Sequence, residues 1–260
     1  MRRDPGRVSL VGAGPGAVDL MTLRAMRAVQ SAQALLYDAL VPDEILALAP
    51  AACLRVQTGK RAGKASMKQE TINRLMLRLA RRGLEVVRLK GGDPSVFGRS
   101  GEERAFLEGH GVEVEIVPGV TAASAAAAQF GFPLTHRGEA RRLAFATARV
   151  QDGAIVEGGW TGLADAETTL ALYMARDAAA AVAGRLLAEG RAADTPALAV
   201  ENAGRPDARL VATTLAGLGD AVSAADFDGP VVLIVGEAAA QARGAASAQP
   251  ARRRSASARS

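Results

Sequence analysis

Ten apolar runs of four to six residues recur along this chain, most of them separated by longer segments of helical period, and that alternation constrains the fold more than any other feature. Strands of such length joined by helices build α/β architectures with mainly parallel sheets. The first series reads as strands at Val8 to Val11, Ala34 to Tyr37, Leu54 to Gln57, Val86 to Leu89 and Val114 to Val117. Asp19 to Ala32 and Met67 to Arg82 read as helices between them, the second opened by a Ser66/Gln69 capping box and closed by Gly83. Glu102 to Glu108 and the alanine-rich Ala122 to Gln129 complete this half.

Gly131, Pro133 and Gly138 punctuate the chain before a second series. Its strands read at Leu143 to Thr147, Thr169 to Met174, Ala197 to Glu201, Leu210 to Thr213 and Val231 to Val235, with helices at Ala178 to Ala188 and Leu215 to Val222. The boundary is expected near Leu134 to Gly138, giving an N-terminal domain over 8–134 and a C-terminal domain over 135–237. From 238 to 260 the Ala, Arg, Ser and Gly composition offers no large apolar side chain to bury, which predicts a disordered basic tail.

Several functional classes drop out on composition. No apolar run approaches the roughly 18 to 20 residues of a membrane span. One cysteine, Cys53, and two histidines, His110 and His136, support neither a disulfide framework nor a structural zinc site. No signal-peptide h-region precedes the first strand, so a cytoplasmic address is expected. The net charge of +5 invites a nucleic-acid reading, yet five arginines and no acids lie in 241–260, leaving 27 basic against 27 acidic residues before it. The informative imbalance is internal: Arg55 to Arg104 carries 13 Lys/Arg against 5 Asp/Glu and is the better candidate for an anion site, although Arg74, Arg78, Arg81 and Arg82 also suit a solvated helix face.

Three glycine-bearing segments follow strands of the first half. Gly12-Ala-Gly-Pro-Gly-Ala17 formally matches G-x-G-x-x-A, and the next strand ends in Asp38, which superficially fits a dinucleotide-binding unit and a nicotinamide oxidoreductase. Pro15 argues against it, because it removes an amide from a loop that must aim N–H donors at pyrophosphate; a ligand without phosphates and a purely structural turn are the alternatives. In Leu89-Lys-Gly-Gly-Asp-Pro94 the glycines allow close backbone approach, and Asp93 either accepts hydrogen bonds from ligand hydroxyls or an amine or caps the following helix. Val117-Pro-Gly-Val-Thr-Ala122 repeats the pattern, and ligands of open α/β sheets gather outside the carboxyl ends of strands, so the three loops are expected to face one crevice.

Taken in order, Val11-Gly-Ala-Gly-Pro-Gly16 with Asp19-Leu-Met-Thr-Leu23, Leu36-Tyr-Asp-Ala-Leu-Val41, Gly59-Lys-Arg61, Arg88-Leu-Lys-Gly-Gly-Asp-Pro94 with Val96-Phe-Gly-Arg99 and Glu102-Glu103, Val117-Pro-Gly119 and Pro133-Leu-Thr-His-Arg137 resemble the uroporphyrinogen-III C-methyltransferases of the tetrapyrrole methylase family. The resemblance covers about residues 8 to 236. It implies two α/β domains with the methyl donor in the cleft between them, a homodimer, and transfer of methyl groups from S-adenosyl-L-methionine to two pyrrole carbons (C2 and C7) of uroporphyrinogen III. Precorrin-1 and then precorrin-2 result, for sirohaem or cobalamin biosynthesis, with S-adenosyl-L-homocysteine as the other product, no metal, and neither nucleic acid nor membrane as partner.

Carried over residue by residue, the resemblance assigns donor contacts to Pro15, Gly91, Gly92, Asp93, Val96, Thr121, Ala122, Met174 and Ala203, the proton acceptor to Asp38 and a proton donor to Lys60. Lys60 alternatively clamps a substrate carboxylate with Arg61 and Arg99 as forked partners; Met174 alternatively packs in a core, and Asp38 alternatively caps a turn. His136 has no assigned role, and His110 is expected to face solvent. Ser95, Ser100, Ala203 and Thr147-Ala-Arg149 depart from the family pattern, the last weakening substrate contacts from the second domain. A chain beginning at the first strand of the methylase is expected to lack a fused dehydrogenase and chelatase module.

Overall fold

Each of the two apolar series forms its own sheet. The computed structural model describes residues 6–59, 67–148, 150–151, 154–155, 160–243 and 246–247. They divide into a first unit, running to Gln129 and taking in Glu201–Arg209, and a second unit comprising Phe130–Val200 and the chain from Leu210. The segment 201–209 lies in the first unit although it follows a strand of the second, a long-range placement with no local sequence signal.

In the first unit the elements run β1 (Val8–Gly12), α1 (Leu23–Ser31), β2 (Ala34–Tyr37), α2 (Asp43–Leu46), β3 (Leu54–Gln57), α3 (Gln69–Ala80), β4 (Val86–Lys90), α4 (Ser100–Glu108), β5 (Val114–Val117) and α5, whose range Ala122–Phe130 ends at the unit boundary. The five strands lie in the order β3-β2-β4-β1-β5, and every pairing is parallel. Ala25 and Val29 of α1 pack with Val11, Leu35, Val87 and Leu89 on one face, whereas Ile72, Met76 and Leu107 of α3 and α4 pack with Val8, Leu10, Leu36 and Val86 on the other. Covered on both faces, β1 and β4 are buried at every position. These neighbours send their following helices to opposite faces, and loops diverging in this way open the crevice in which α/β sheets bind ligands.

The second unit contains β6 (Arg142–Thr147), β7 (Val150–Gln151), β8 (Ala154–Ile155), β9 (Thr168–Tyr173), α6 (Ala179–Ala188), β10 (Pro196–Glu201), β11 (Arg209–Thr214), α7 (Leu218–Ala224), β12 (Val231–Val235) and β13 (Ala246–Ser247). Its six-stranded sheet has the order β13-β11-β10-β12-β9-β6. Here β6 and β11 pair in parallel with β9 and β13, but β12 runs antiparallel to β9, so this sheet is mixed. Trp160, Leu170, Leu172, Val182, Leu186 and Leu233 form its core.

Local expectations differ from the fold in three places. The first helix is shorter than Asp19 to Ala32: α1 starts at Leu23, with the Thr22 hydroxyl accepting from the Ala25 amide at 3.1 Å as a side-chain cap. Helix α3 opens at Gln69 behind Lys68, which makes no side-chain cap; the Gln69 amide turns instead to Glu103, and Ser66 lies outside the described residues. Packing continues past Glu237, since Ala238 and Ala239 are buried, β13 pairs with β11, and the Arg243 amide donates to the Phe130 carbonyl at 2.7 Å. Alanines bury here by position, without the periodic large side chains a sequence reading looks for; the rest of the expected disordered tail, 244–245 and 248–260, lies outside the described residues.

No helix among the described residues is long and apolar enough to cross a membrane. Cys53 is buried, and burial pushes its thiol pKa up, with Arg55 opposing. Only a thiolate attacks a disulfide reagent, so such a reagent should modify Cys53 far more slowly in the native protein than in denaturant. Equal rates would show that the loop before β3 opens freely.

Candidate active site

The loops following β1, β2, β4 and β5 leave the same edge of the first sheet, and their backbones interlock there. Gly14 and Gly92 form a two-way bridge, the Gly14 amide donating to Gly92 O at 3.2 Å and the Gly92 amide to Gly14 O at 2.7 Å. A Cβ on Gly119 would lie 2.2 Å from the Gly92 carbonyl oxygen, and one on Gly12 would lie 2.6 Å from the same atom, so both positions demand glycine for close approach. The sequence expectation that these loops share one crevice therefore holds for the glycine segments at Gly12, Gly91 and Gly119.

Asp93 ties them together. Its Oδ1 accepts from the amide and hydroxyl of Ser95, and Oδ2 accepts from the Gly119 amide at 2.9 Å. It is thus a loop clamp rather than a helix cap, because α4 begins only at Ser100. Val96 closes the same turn, its amide donating to Asp93 O at 3.2 Å. Thr121 caps α5, its hydroxyl accepting from the Ser124 amide at 3.3 Å, with Ala122 following.

Pyrophosphate finds no cradle in the first glycine loop. The amides of Ala13, Gly14 and Ala17 are occupied by the carbonyls of Lys90, Gly92 and Gly204, and Pro15 has none to offer. These occupied donors are the physical reason against a dinucleotide.

Segment 201–209 packs on this loop. Gly204, at φ +80°, abuts the Pro15 ring, and Gln129 brackets the segment by accepting from the Gly204 amide and donating to Arg205 O, each at 2.9 Å. Arg205 in turn donates to Leu40 O at 2.8 Å. Ala203 is thereby placed in the same unit as Pro15 and is buried. Beside it Asn202, at φ +51°, has a buried Oδ1 with no partner among the described residues, while Gly92, at φ +69°, has open space where a Cβ would stand. A buried acceptor and an open backbone position bordered by small residues fit a compact ligand carrying N–H donors.

Asp38 directly follows β2. Its Oδ1 accepts from the Leu40 amide at 3.0 Å and Oδ2 from the Gly91 amide at 3.1 Å, fixing the half-buried carboxylate against the glycine turn. Each oxygen retains a second lone pair. Lys60 and Arg61 lie outside the described residues. Met174, in the second unit, does not pack in a core: its backbone is left-handed at φ +54° and it is 69% exposed. An exposed apolar side chain held in that strained region is a feature of binding sites.

Two features escaped the sequence reading. Arg99, itself left-handed at φ +56°, already fills its fork with Glu102, at 2.9 and 2.6 Å, and this hydrogen bond holds the Glu102 carboxyl below its ordinary pKa. A substrate carboxylate must displace Glu102 to use it. Below the turn lies a buried charge cluster: Glu103 on α4, with no exposed surface, accepts from Lys90 Nζ at 3.1 and 3.0 Å, Arg88 Nε at 3.3 Å and Gln69 Nε2 at 2.9 Å. Arg88 and Lys90 are each 5% exposed, so part of the basic middle stretch cannot meet an external anion. Their i, i+2 spacing placed them on one strand face, but burial depended on β4 being central. His110 is exposed as expected, its Nδ1 2.7 Å from Phe106 O, and no group of metal-ligating side chains occurs among the described residues.

Comparison with known proteins is consistent across sequence and structure. The family model "Tetrapyrrole (Corrin/Porphyrin) Methylases" matches residues 7–219. The uroporphyrinogen-III C-methyltransferase of Paracoccus denitrificans is 44% identical over 237 residues, 91% of this chain and 83% of that protein. A siroheme synthase of Azotobacter vinelandii is 44% identical over 232 residues, 89% of this chain and 50% of its own, so this chain spans about half of that relative. The structure of uroporphyrin-III C-methyl transferase from Thermus thermophilus complexed with S-adenyl homocysteine superposes with a TM-score of 0.77 at 43% identity, covering 90% of this chain and 98% of the other.

Proposed function

As the chain belongs to the tetrapyrrole (corrin/porphyrin) methylases, we propose that it is the S-adenosyl-L-methionine-dependent uroporphyrinogen-III C-methyltransferase, converting its substrate through precorrin-1 to precorrin-2 for sirohaem or cobalamin biosynthesis. The observation that carries this is the Asp38 carboxylate fixed on Gly91 at the edge where three glycine loops interlock, in a chain 44% identical over 91% of its length to an enzyme of that name. Bound S-adenosyl-L-methionine supplies an electrophilic sulfonium methyl group. Pro15, Gly91, Gly92, Asp93, Val96, Thr121, Ala122, Met174 and Ala203 would hold the donor, as the resemblance implies; the unpartnered Asn202 Oδ1 and the space over Gly92 support a ligand in the first unit.

Each methylation leaves a cationic pyrrole system that must shed one proton. Asp38 accepts it through a lone pair not used by Leu40 or Gly91, and Lys60, the proton donor that the resemblance implies, takes back from the macrocycle the proton it lends, so that one proton is lost for each methyl gained. Rigid placement accounts for most of the gain, since reacting groups held in a near-attack arrangement avoid the entropy of encounter. We place the enzyme in the cytoplasm as a homodimer acting on a small tetrapyrrole, with no metal and neither nucleic acid nor membrane as partner. The sequence reading divides the chain into domains over 8–134 and 135–237 with a basic tail over 238–260, whereas the units of the structure divide after Gln129 and bring Glu201–Arg209 into the first.

Purified protein given methyl-labelled donor and uroporphyrinogen III should form products with one and then two added methyl groups by mass spectrometry. No transfer by folded protein that binds S-adenosyl-L-homocysteine would overturn the assignment. Calorimetry should also find binding of S-adenosyl-L-homocysteine and none of NAD(P)H.

A further inference from the structure

Lys90 is a buried cation beyond the one that Glu103 needs for charge balance. Arg88 and Glu103 alone make a charge-balanced pair, the Arg88 guanidinium also donating to Leu36 O at 3.5 Å and Leu89 O at 3.3 Å. Adding Lys90 leaves one positive charge in excess at a site 5% exposed. An unmatched buried charge costs several kcal/mol. Burial first and Arg88 second accordingly draw the Lys90 pKa below its ordinary value, against Glu103 and then Asp38, which favour the cation.

The groups facing Lys90 are Arg88 on its own strand, Glu103 on α4 and Asp38 at the end of β2, and Glu102 on α4 also feels its charge. Helix α3 contributes only neutral Gln69 and, through it, Asn73. The main chain of Lys90 reaches the site at the same time: its carbonyl accepts from the Ala13 amide at 2.8 Å, and the next amide, that of Gly91, donates to Asp38. A single residue thus joins the buried anion Glu103, the first glycine loop and the Asp38 turn.

We propose that Lys90 is a positioning residue for methyl transfer: its buried ammonium, anchored on both carboxylate oxygens of Glu103, fixes the strand end from which the Gly91 amide binds Asp38 and so holds the Asp38–Gly91 junction in place. This rests on Asp38 being the proton acceptor. Lys90 touches neither donor nor substrate in this role; it acts through Asp38.

Lys90→Met leaves the balanced Arg88–Glu103 pair, and Lys90→Gln keeps a hydrogen-bond donor for Glu103 without the charge. Both variants should keep the affinity for S-adenosyl-L-homocysteine and the KM for uroporphyrinogen III within about threefold, while kcat falls on the order of 10²-fold, the cost of misplacing a reacting group. In an Asp38→Asn background, adding Lys90→Met should cost no more than about twofold further, as expected of residues acting as one unit. Unchanged kcat in both single variants, loss of donor affinity with kcat spared, or the same 10²-fold loss in the Asp38→Asn background would overturn the proposal. Full turnover by Asp38→Asn alone would overturn the proton-acceptor role, and with it the proposal, whatever the Lys90 variants do.

Discussion

Asp38→Asn should lower the rate of methyl transfer by about 10²- to 10⁴-fold, the usual contribution of a positioned general base, with donor affinity nearly unchanged. The substitution is nearly isosteric but replaces an acceptor-only group with one that carries an NH₂. Asp38 accepts two amides, from Leu40 and Gly91, one on each oxygen. An asparagine can satisfy only one of them and sets its NH₂ against the other N–H. The remaining oxygen is also far too weak a base to take a proton from the methylated macrocycle. The lost backbone bond should cost about 1 to 3 kcal/mol locally, so binding of S-adenosyl-L-homocysteine and the melting temperature belong in the same experiment. Turnover within threefold of the parent would remove Asp38 from the chemistry and restore its alternative role as a turn cap.

Glu103→Gln should produce the largest loss of stability. Glu103 has no exposed surface and is the carboxylate that faces both Arg88 and Lys90 in their buried positions. The glutamine keeps an acceptor oxygen but leaves two buried cations without a counter-charge. Removing one partner of a buried ionic cluster costs about 3 to 5 kcal/mol, or roughly 10 °C in melting temperature for a chain of this size. The pH dependence carries a definite sign. The Lys90 pKa is lowered in the folded state, so the penalty for its charge is fully present below that pKa and is relieved as pH rises through it. Without Glu103 the lowering is larger, so the variant should gain more stability than the parent on the alkaline side, and the deficit should narrow. A deficit independent of pH between neutrality and pH 10 would show that Glu103 does not alter the titration of Lys90.

Much of the first unit was legible because strands and glycine turns are local. Val8 to Val11, Ala34 to Tyr37 and Val114 to Val117 needed only their apolar runs, and the observed strands match them to within a residue. Gly91 and Gly92 signalled close backbone approach, and the structure supplies Gly12 and Gly119 as what closes on the Gly92 carbonyl. Strands of two residues such as β7 and β8 carry no pattern of their own, and nothing near Asn202 announces that its segment belongs with Pro15.

The sequence by itself determined the alternation of strands and helices, the glycine loops and the family resemblance, because period, turn chemistry and ordered motifs are written in neighbouring residues. Only the tertiary structure decided which charges were available for chemistry. Arg88 and Lys90 read as part of a basic segment suited to a polyanionic substrate, and they would be solvated on an edge strand. Parallel pairing places β4 between β2 and β1 with helices over both faces, so these cations are enclosed against Glu103 and Gln69. Burial follows from which strands become neighbours, a property of contacts distant in sequence, and it turns two cations of a basic stretch into an enclosed ionic cluster.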